Sequence, residues 1–244
     1  MKSLGNSVLL ALSVVLLTAL LPCKSVAQER KVMNRPYVDM RRWHYGFSFG
    51  MHFQDFSIAD NGFVYNGDGT SECWYAEVPD YSPGFSVGVL GELRLHELVS
   101  LRVIPTMHFG DKTVVYHDML SGREQKQIFK TTYLSVPLDV KLAAPRFNNF
   151  RPYVMTGISP LIDLTVKDGH EMLVKRFDCQ LEIGMGMDLY FPYFKLIPEL
   201  KFCFGLRNIL ETERADLTDA SMLKFTESIG SVSSRMIVLT LYFE

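Results

Sequence analysis

The chain has 244 residues, a formal net charge of -2, and 17 Phe with 11 Tyr. That length holds one ordinary domain or one modest barrel, and the near-neutral charge, with no basic footprint, argues against a nucleic-acid partner. Mean hydropathy is only slightly positive, which excludes a polytopic helical membrane protein but not a β-barrel, whose alternating strands average their hydropathy out.

Residues 1–27 read as a secretory signal peptide: Lys2 is the positive start, residues 8–21 are apolar, and Ser25-Val26-Ala27 fits a small-x-small cleavage site. The apolar run is shorter than the roughly 20 residues a spanning helix needs. A lipid anchor on Cys23 is opposed by Pro22, where a small residue is expected. Residues 28–42 are polar and charged and read as a periplasmic leader; residues 43–244 read as the barrel domain.

The first strand, 44–56, places Tyr45, Phe47, Phe49, Met51 and Phe53 on one face and His44, Gly46, Ser48, Gly50, His52 and Gln54 on the other. Aromatics stacked opposite glycines fit lipid on one side and a narrow interior on the other. A polar loop, 57–82, follows, with Asn61-Gly62 and Asn66-Gly67 as turn signals. Strands are then expected at 83–95, 100–116, 128–142, 153–164, 177–190, 195–206 and 232–243. The connections alternate long and short, and Phe243 gives the final strand an aromatic end. The fold class is all-β: an eight-stranded antiparallel up-and-down transmembrane β-barrel in the cell outer membrane, termini in the periplasm and long loops outward. Pro105, Pro137 and Pro198 fall inside strands, where each removes a ladder hydrogen bond, and bulges are expected to absorb them. Arg235 falls on the outward parity and is expected to snorkel at the outer interface.

The inward positions collect Glu92, Arg94, Arg102, Asp139, Lys141, Glu182, Asp188, Glu199 and Lys201. An eight-stranded barrel has room inside only for side chains, so these must pair. A structural salt-bridge plug is the expectation, with a gate or proton-linked site as the sharper alternative. A lipid-modifying enzyme would use His52, Asp55 and His108 near the outer rim with Ser48, Ser57 or Ser82, but no spacing is diagnostic and no catalytic residue is assigned. A soluble lipocalin-like barrel would need an apolar interior, whereas glycines and charges share the inward face here. Tyr65, Trp74, Tyr75 and Tyr81 are candidate partner contacts on the first long loop, with self-packing of that loop as the alternative. Cys73, Cys179 and Cys203 form no disulfide framework or metal spacing, and Cys179 and Cys203 should sit on opposite faces of neighbouring strands. No cofactor motif is present, and lipid and lipopolysaccharide are the partners that the barrel reading brings.

The run Arg35-Pro36-Tyr37-Val38-Asp39-Met40-Arg41-Arg42-Trp43-His44-Tyr45-Gly46-Phe47, with Gln54-Asp55-Phe56, resembles the opening of the PorT family. The block Glu182-Ile183-Gly184-Met185-Gly186 and the stretch from Pro192-Tyr193-Phe194 through Gly205-Leu206 are also similar to it. The resemblance implies a non-enzymatic outer-membrane accessory of type IX protein secretion, needed for export of sorting-domain proteins such as gingipain-type proteases. It implies other secretion components as partners and no catalytic residues. An anchor or adhesin barrel is the remaining alternative.

Overall fold

A computed structural model describes residues 32–62, 64–67, 70–78, 82–119, 122–165, 173–211 and 228–244. The expected signal peptide and residues 28–31 of the leader lie outside the described residues. The account below concerns the unit Met33–Glu244.

Twelve strands form one antiparallel sheet: β1 (Trp43–Asp60), β2 (Val64–Gly67), β3 (Thr70–Glu77), β4 (Pro83–Arg94), β5 (Val99–Val103), β6 (Thr106–Asp118), β7 (Glu124–Ser135), β8 (Leu138–Ala143), β9 (Phe150–Asp163), β10 (Phe177–Tyr190), β11 (Lys195–Gly205) and β12 (Ile229–Phe243). The sheet closes because β1 pairs with β4 on one side and β12 on the other. β5 with β6, and β7 with β8, are each one stave interrupted at a proline, so the ring has eight staves. Closure leaves these staves no free edge, and every ladder runs between neighbours.

The prolines interrupt ladders without shifting them. Gly88 faces Thr106 and Gly91 faces Val103, three residues on along both strands, so the register passes through Pro105 unchanged. The same holds across Pro137, where Thr106 faces Ser135 and Val103 faces Leu138. Pro198 stays in register with Leu241 on β12, and the pairs of Pro198 and Ile197 are missing from the β10 ladder. Bulges are therefore not how the prolines are absorbed; carbonyls of Pro105 and Pro137 still accept from Val89 N and Ile104 N, and only the lost donor is unmade. The one register shift between β1 and β12 falls at Ala59/Asp60.

Two expected loops are partly sheet. Residues 57–82 contain the end of β1 and the β2–β3 hairpin, and β3 continues the wall beside β6. Strands β6 and β7 meet in a tight hairpin, closed by Asp118 N donating to Arg123 O, so the expected loop at 117–127 shrinks to a turn. The inward alternation of Val114, Tyr116 and Asp118 continues the pattern of the strand to that turn.

The outer face carries a band of exposed apolar side chains, from Tyr45, Phe47, Phe49, Met51 and Phe53 on β1 round to Leu241, Leu239 and Ile237 on β12. Nine residues from Tyr45 to Phe53 match the roughly 9–11 a tilted strand needs to cross. Toward the long-loop end the band is interrupted by two cross-strand pairs of opposite charge: Asp55 faces Arg235, and Asp111 faces Lys130. The wall continues past them. We call this the loop end and the opposite one the turn end. Among the described residues no helix is long and apolar enough to cross a membrane.

Candidate functional site

The lumen is filled along its length, in three storeys. At the turn end the chain before β1 folds back as a 3-10 turn, Val38–Met40, with Val38 buried. This cap is tied to the barrel mainly through polar groups. Asn34 donates from its backbone to Asn149 Oδ1 and from its side chain to Tyr190 O. Asp39 accepts from Tyr190 Oη at 2.7 Å and from Arg146 at 3.2 Å, and Arg94 donates to Asp39 O. The Arg146 guanidinium lies 3.5 Å over the Tyr190 ring and also donates to the Asn34 and Arg35 carbonyls. Arg35 reaches Glu244 O at 3.2 Å. The Glu244 carboxylate is held by His44 Nδ1 at 2.6 Å and by Lys195 Nζ. Burial pushes that carboxyl up, but the His44 hydrogen bond and the Lys195 charge outweigh it and bring it down to about 2.

The middle storey lies inside the apolar band and is ionic. Arg102, fully buried on β5, donates to Glu92 at 2.9 Å and to Glu199 at 2.6 Å. Glu199 also accepts from Tyr153 Oη at 2.5 Å and Tyr242 Oη at 2.7 Å. Lys141 makes two 2.8 Å contacts to Asp188 and lies 4.2 Å from the Tyr153 ring. Lys201 sits 3.0 Å from Glu182 and 3.9 Å from both Asp139 and Glu199. Seven staves contribute to this set, so it braces the ring across its diameter. Two glycines make room: a Cβ on Gly157 would meet Asp139 Oδ1 at 2.2 Å, and one on Gly84 would meet His52 Nε2 at 2.3 Å. Buried charges persist only when paired and hydrogen-bonded, and here the acids and bases interleave.

Every charge expected to face inward except Arg94 lies in this network. Arg94 is half-buried at the turn end and serves the cap instead. Lys195 and Glu244 were not among the expected residues, although inward parity on strand seven pointed to Lys195. His52 and His108 do meet, edge to face at 5.2 Å, but deep in the lumen; Asp55 lies on the outer face. His52 contacts Gln54 at 2.7 Å and His108 contacts Ser135 at 3.0 Å.

The loop-end storey is built round an apolar cluster, with the buried Lys112 Nζ lying 3.9 Å over the Phe56 ring. Phe56, Trp74, Val114, Tyr116, Val174, Ile209, Leu210 and Val232 form a buried cluster inside the wall that continues past the band. Trp74, 5% exposed, belongs to that core, so it offers no contact surface and takes the self-packed alternative. Tyr75 is half-buried and stacks on His117 at 5.1 Å. The Tyr65 side chain and Tyr81 lie outside the described residues. Cavities lined by lumen residues hold about 20 Å³ beside Lys112 and Asp178 and about 10 Å³ beside Lys201, the size of a water. Cys179 and Cys203 sit on neighbouring strands, one half-exposed and one buried, and both are free.

A family model described as outer membrane protein beta-barrel domain matches residues 26–211. Among solved structures the chain is similar to the outer membrane protein OprG of Pseudomonas aeruginosa, with 13% identity, a TM-score of 0.47, and 82% of this chain and 91% of that one covered. It is also similar to Ail, the attachment invasion locus protein of Yersinia pestis, with 11% identity, a TM-score of 0.35, and 83% and 99% covered. A third is the outer membrane protein AlkL in DMPC bilayers, with 12% identity, a TM-score of 0.36, and 82% and 90% covered. No curated protein matches the chain.

Proposed function

Because the chain belongs to the outer membrane protein β-barrel domain family, we propose that it is a closed, non-enzymatic barrel acting as an accessory of type IX protein secretion. On this reading the turn end and both termini face the periplasm, and the loop end faces outward. The observation that carries it is the filled lumen: Arg102, Lys141 and Lys201 are locked to Glu92, Glu199, Asp188 and Glu182 across the barrel axis. A barrel filled this way passes neither a folded protein nor a chain, so it serves export through its surfaces rather than its bore. The likeness of residues 35–56 and 182–206 to the PorT family supplies the secretion context. Burial of His52 and His108 within the lumen supports a non-enzymatic role, because no lipid reaches them there. Other secretion components are the partners this reading requires.

The test is a clean deletion strain, fractionated and probed for a sorting-domain protease. Unprocessed cargo held in the periplasm, released by the complementing gene, is the expected result. Normal secretion overturns the export role and leaves the barrel as an anchor or adhesin.

A further inference from the structure

One part of the outer wall is not a uniform apolar band. On three adjacent staves the registers align two rows. Phe53, Ile237 and Phe202 form one; Asp55, Arg235 and Phe204 form the next toward the loop end. The smaller Ile237 between two phenylalanines leaves a furrow along β12, and a groove of about 210 Å³ lies there, lined by Phe53, Asp55, Phe202, Phe204, Arg235 and Ile237. Its lower part is apolar and its loop-side part holds a guanidinium and a carboxylate. Arg235 is exposed. The second charged pair, Asp111 with Lys130, interrupts the band elsewhere, and neither residue lines this groove.

We propose that this groove is a seat for one lipopolysaccharide molecule of the outer leaflet, an acyl chain lying along β12 and a lipid A phosphate on Arg235. The assignment rests on the orientation given above, loop end outward. Charge complementarity and the position of the groove together select the occupant. An arginine at the edge of the hydrocarbon, with its planar fork of donors, matches a phosphate bidentately. Asp55 beside it accepts a hydroxyl of the phosphorylated sugar, and the groove lies at the loop-end edge of the band, which on this orientation is the outer leaflet that lipopolysaccharide fills. Phe53, Phe202 and Phe204 give the acyl chain rigid walls, which lowers the ordering cost of holding it.

The experiment measures retention of purified lipopolysaccharide by the detergent-solubilised full chain, by native mass spectrometry and by equilibrium titration, for wild type, Arg235→Gln, Phe204→Ala and Lys130→Gln. Folding of each is checked by the gel shift on heating. Expected are a saturable one-to-one complex, a loss of about tenfold in affinity for Arg235→Gln (one charge-assisted contact), a smaller loss for Phe204→Ala and none for Lys130→Gln. Dephosphorylated lipopolysaccharide should bind wild type about as weakly as intact lipid binds Arg235→Gln. Equal binding of phosphatidylethanolamine or phosphatidylglycerol, or an unchanged affinity in Arg235→Gln, overturns the seat. Should Arg235→Gln fail to fold, the phosphate comparison on wild type and the Phe204→Ala variant decide alone. This outcome is separable from the export role: normal secretion by the deletion strain leaves the measured lipid affinity standing, and a lost lipid site leaves a secretion defect standing.

Discussion

Glu199 is the residue on which most of the ionic storey converges, with one arginine and two tyrosine hydroxyls on its two oxygens. Removing one member of a buried pair strands the other, at a cost of about 3–5 kcal/mol. Glu199→Gln is therefore expected to lower the unfolding midpoint in urea well below wild type, and Glu199→Gln with Lys201→Gln by less than the two single changes summed, since Lys201 lies 3.9 Å from Glu199. If the double variant assembles and secretion is still lost, the network does more than brace the wall. Glu244 gives a pH signature of a different kind. Its carboxyl titrates near 2 in the folded chain against an ordinary 4.5. A depressed carboxyl stabilises the fold fully above about 4.5, and that share is lost as pH falls through about 2. The stability gap between wild type and Glu244→Gln should thus be constant from neutral pH to about 5 and close below about 2, read from the folded fraction on gels. Gly157 is constrained by space: a Cβ there would lie 2.3 Å from the Leu138 carbonyl, which belongs to the neighbouring backbone and cannot step aside. Gly157→Val is expected to cost about 1–3 kcal/mol, by urea titration, or to block assembly.

At the scale of elements, the staves were legible because lipid on one side and packed charge on the other enforce a two-residue period. The strand expected at 177–190 is reproduced to the residue. Legibility failed where the surroundings of the wall change. Beyond Phe53 and Phe109 the outward face turns charged at Asp111 and the inward face takes in Lys112, so Asp111, Lys112 and Thr113 read as polar sequence, yet the strand runs on. Turn signals at Asn61-Gly62 and Asn66-Gly67 hid the β2–β3 hairpin inside a stretch taken for loop. The cap was invisible for another reason. A three-residue 3-10 turn has no periodicity, and its contacts to Asn149, Tyr190 and Glu244 lie more than 100 residues away. Deleting residues 33–42 is expected to lower thermal stability measurably while planar-bilayer conductance stays at background, because the ionic storey closes the bore behind the cap. A stepwise open channel in that variant would place the seal in the cap.

For the whole molecule, the lining charges could be assigned from parity alone, but which acid meets which base could not, because pairing across a lumen depends on stagger between staves rather than on position within one. Arg235 was legible as an outward arginine; its opposite number Asp55 was read as a catalytic candidate, and only the β1–β12 register set the two side by side. The vertical order of the interior has a consequence for temperature. Ion pairs hold the storey within the membrane band, whereas apolar burial around Phe56, Trp74, Tyr116 and Val232 holds the storey beyond it. Apolar burial weakens on cooling. The part of the barrel that stands clear of the bilayer should therefore soften in the cold while the spanning part stays rigid. In a Trp43→Phe variant, which leaves Trp74 as the sole tryptophan, iodide quenching should rise between 25 and 5 °C if this is right and stay flat if both storeys respond alike. A barrel of this build would present its most adaptable outer surface at low temperature and its most sharply shaped one when warm, so that whatever docks there would meet a surface set by the thermometer as much as by the sequence.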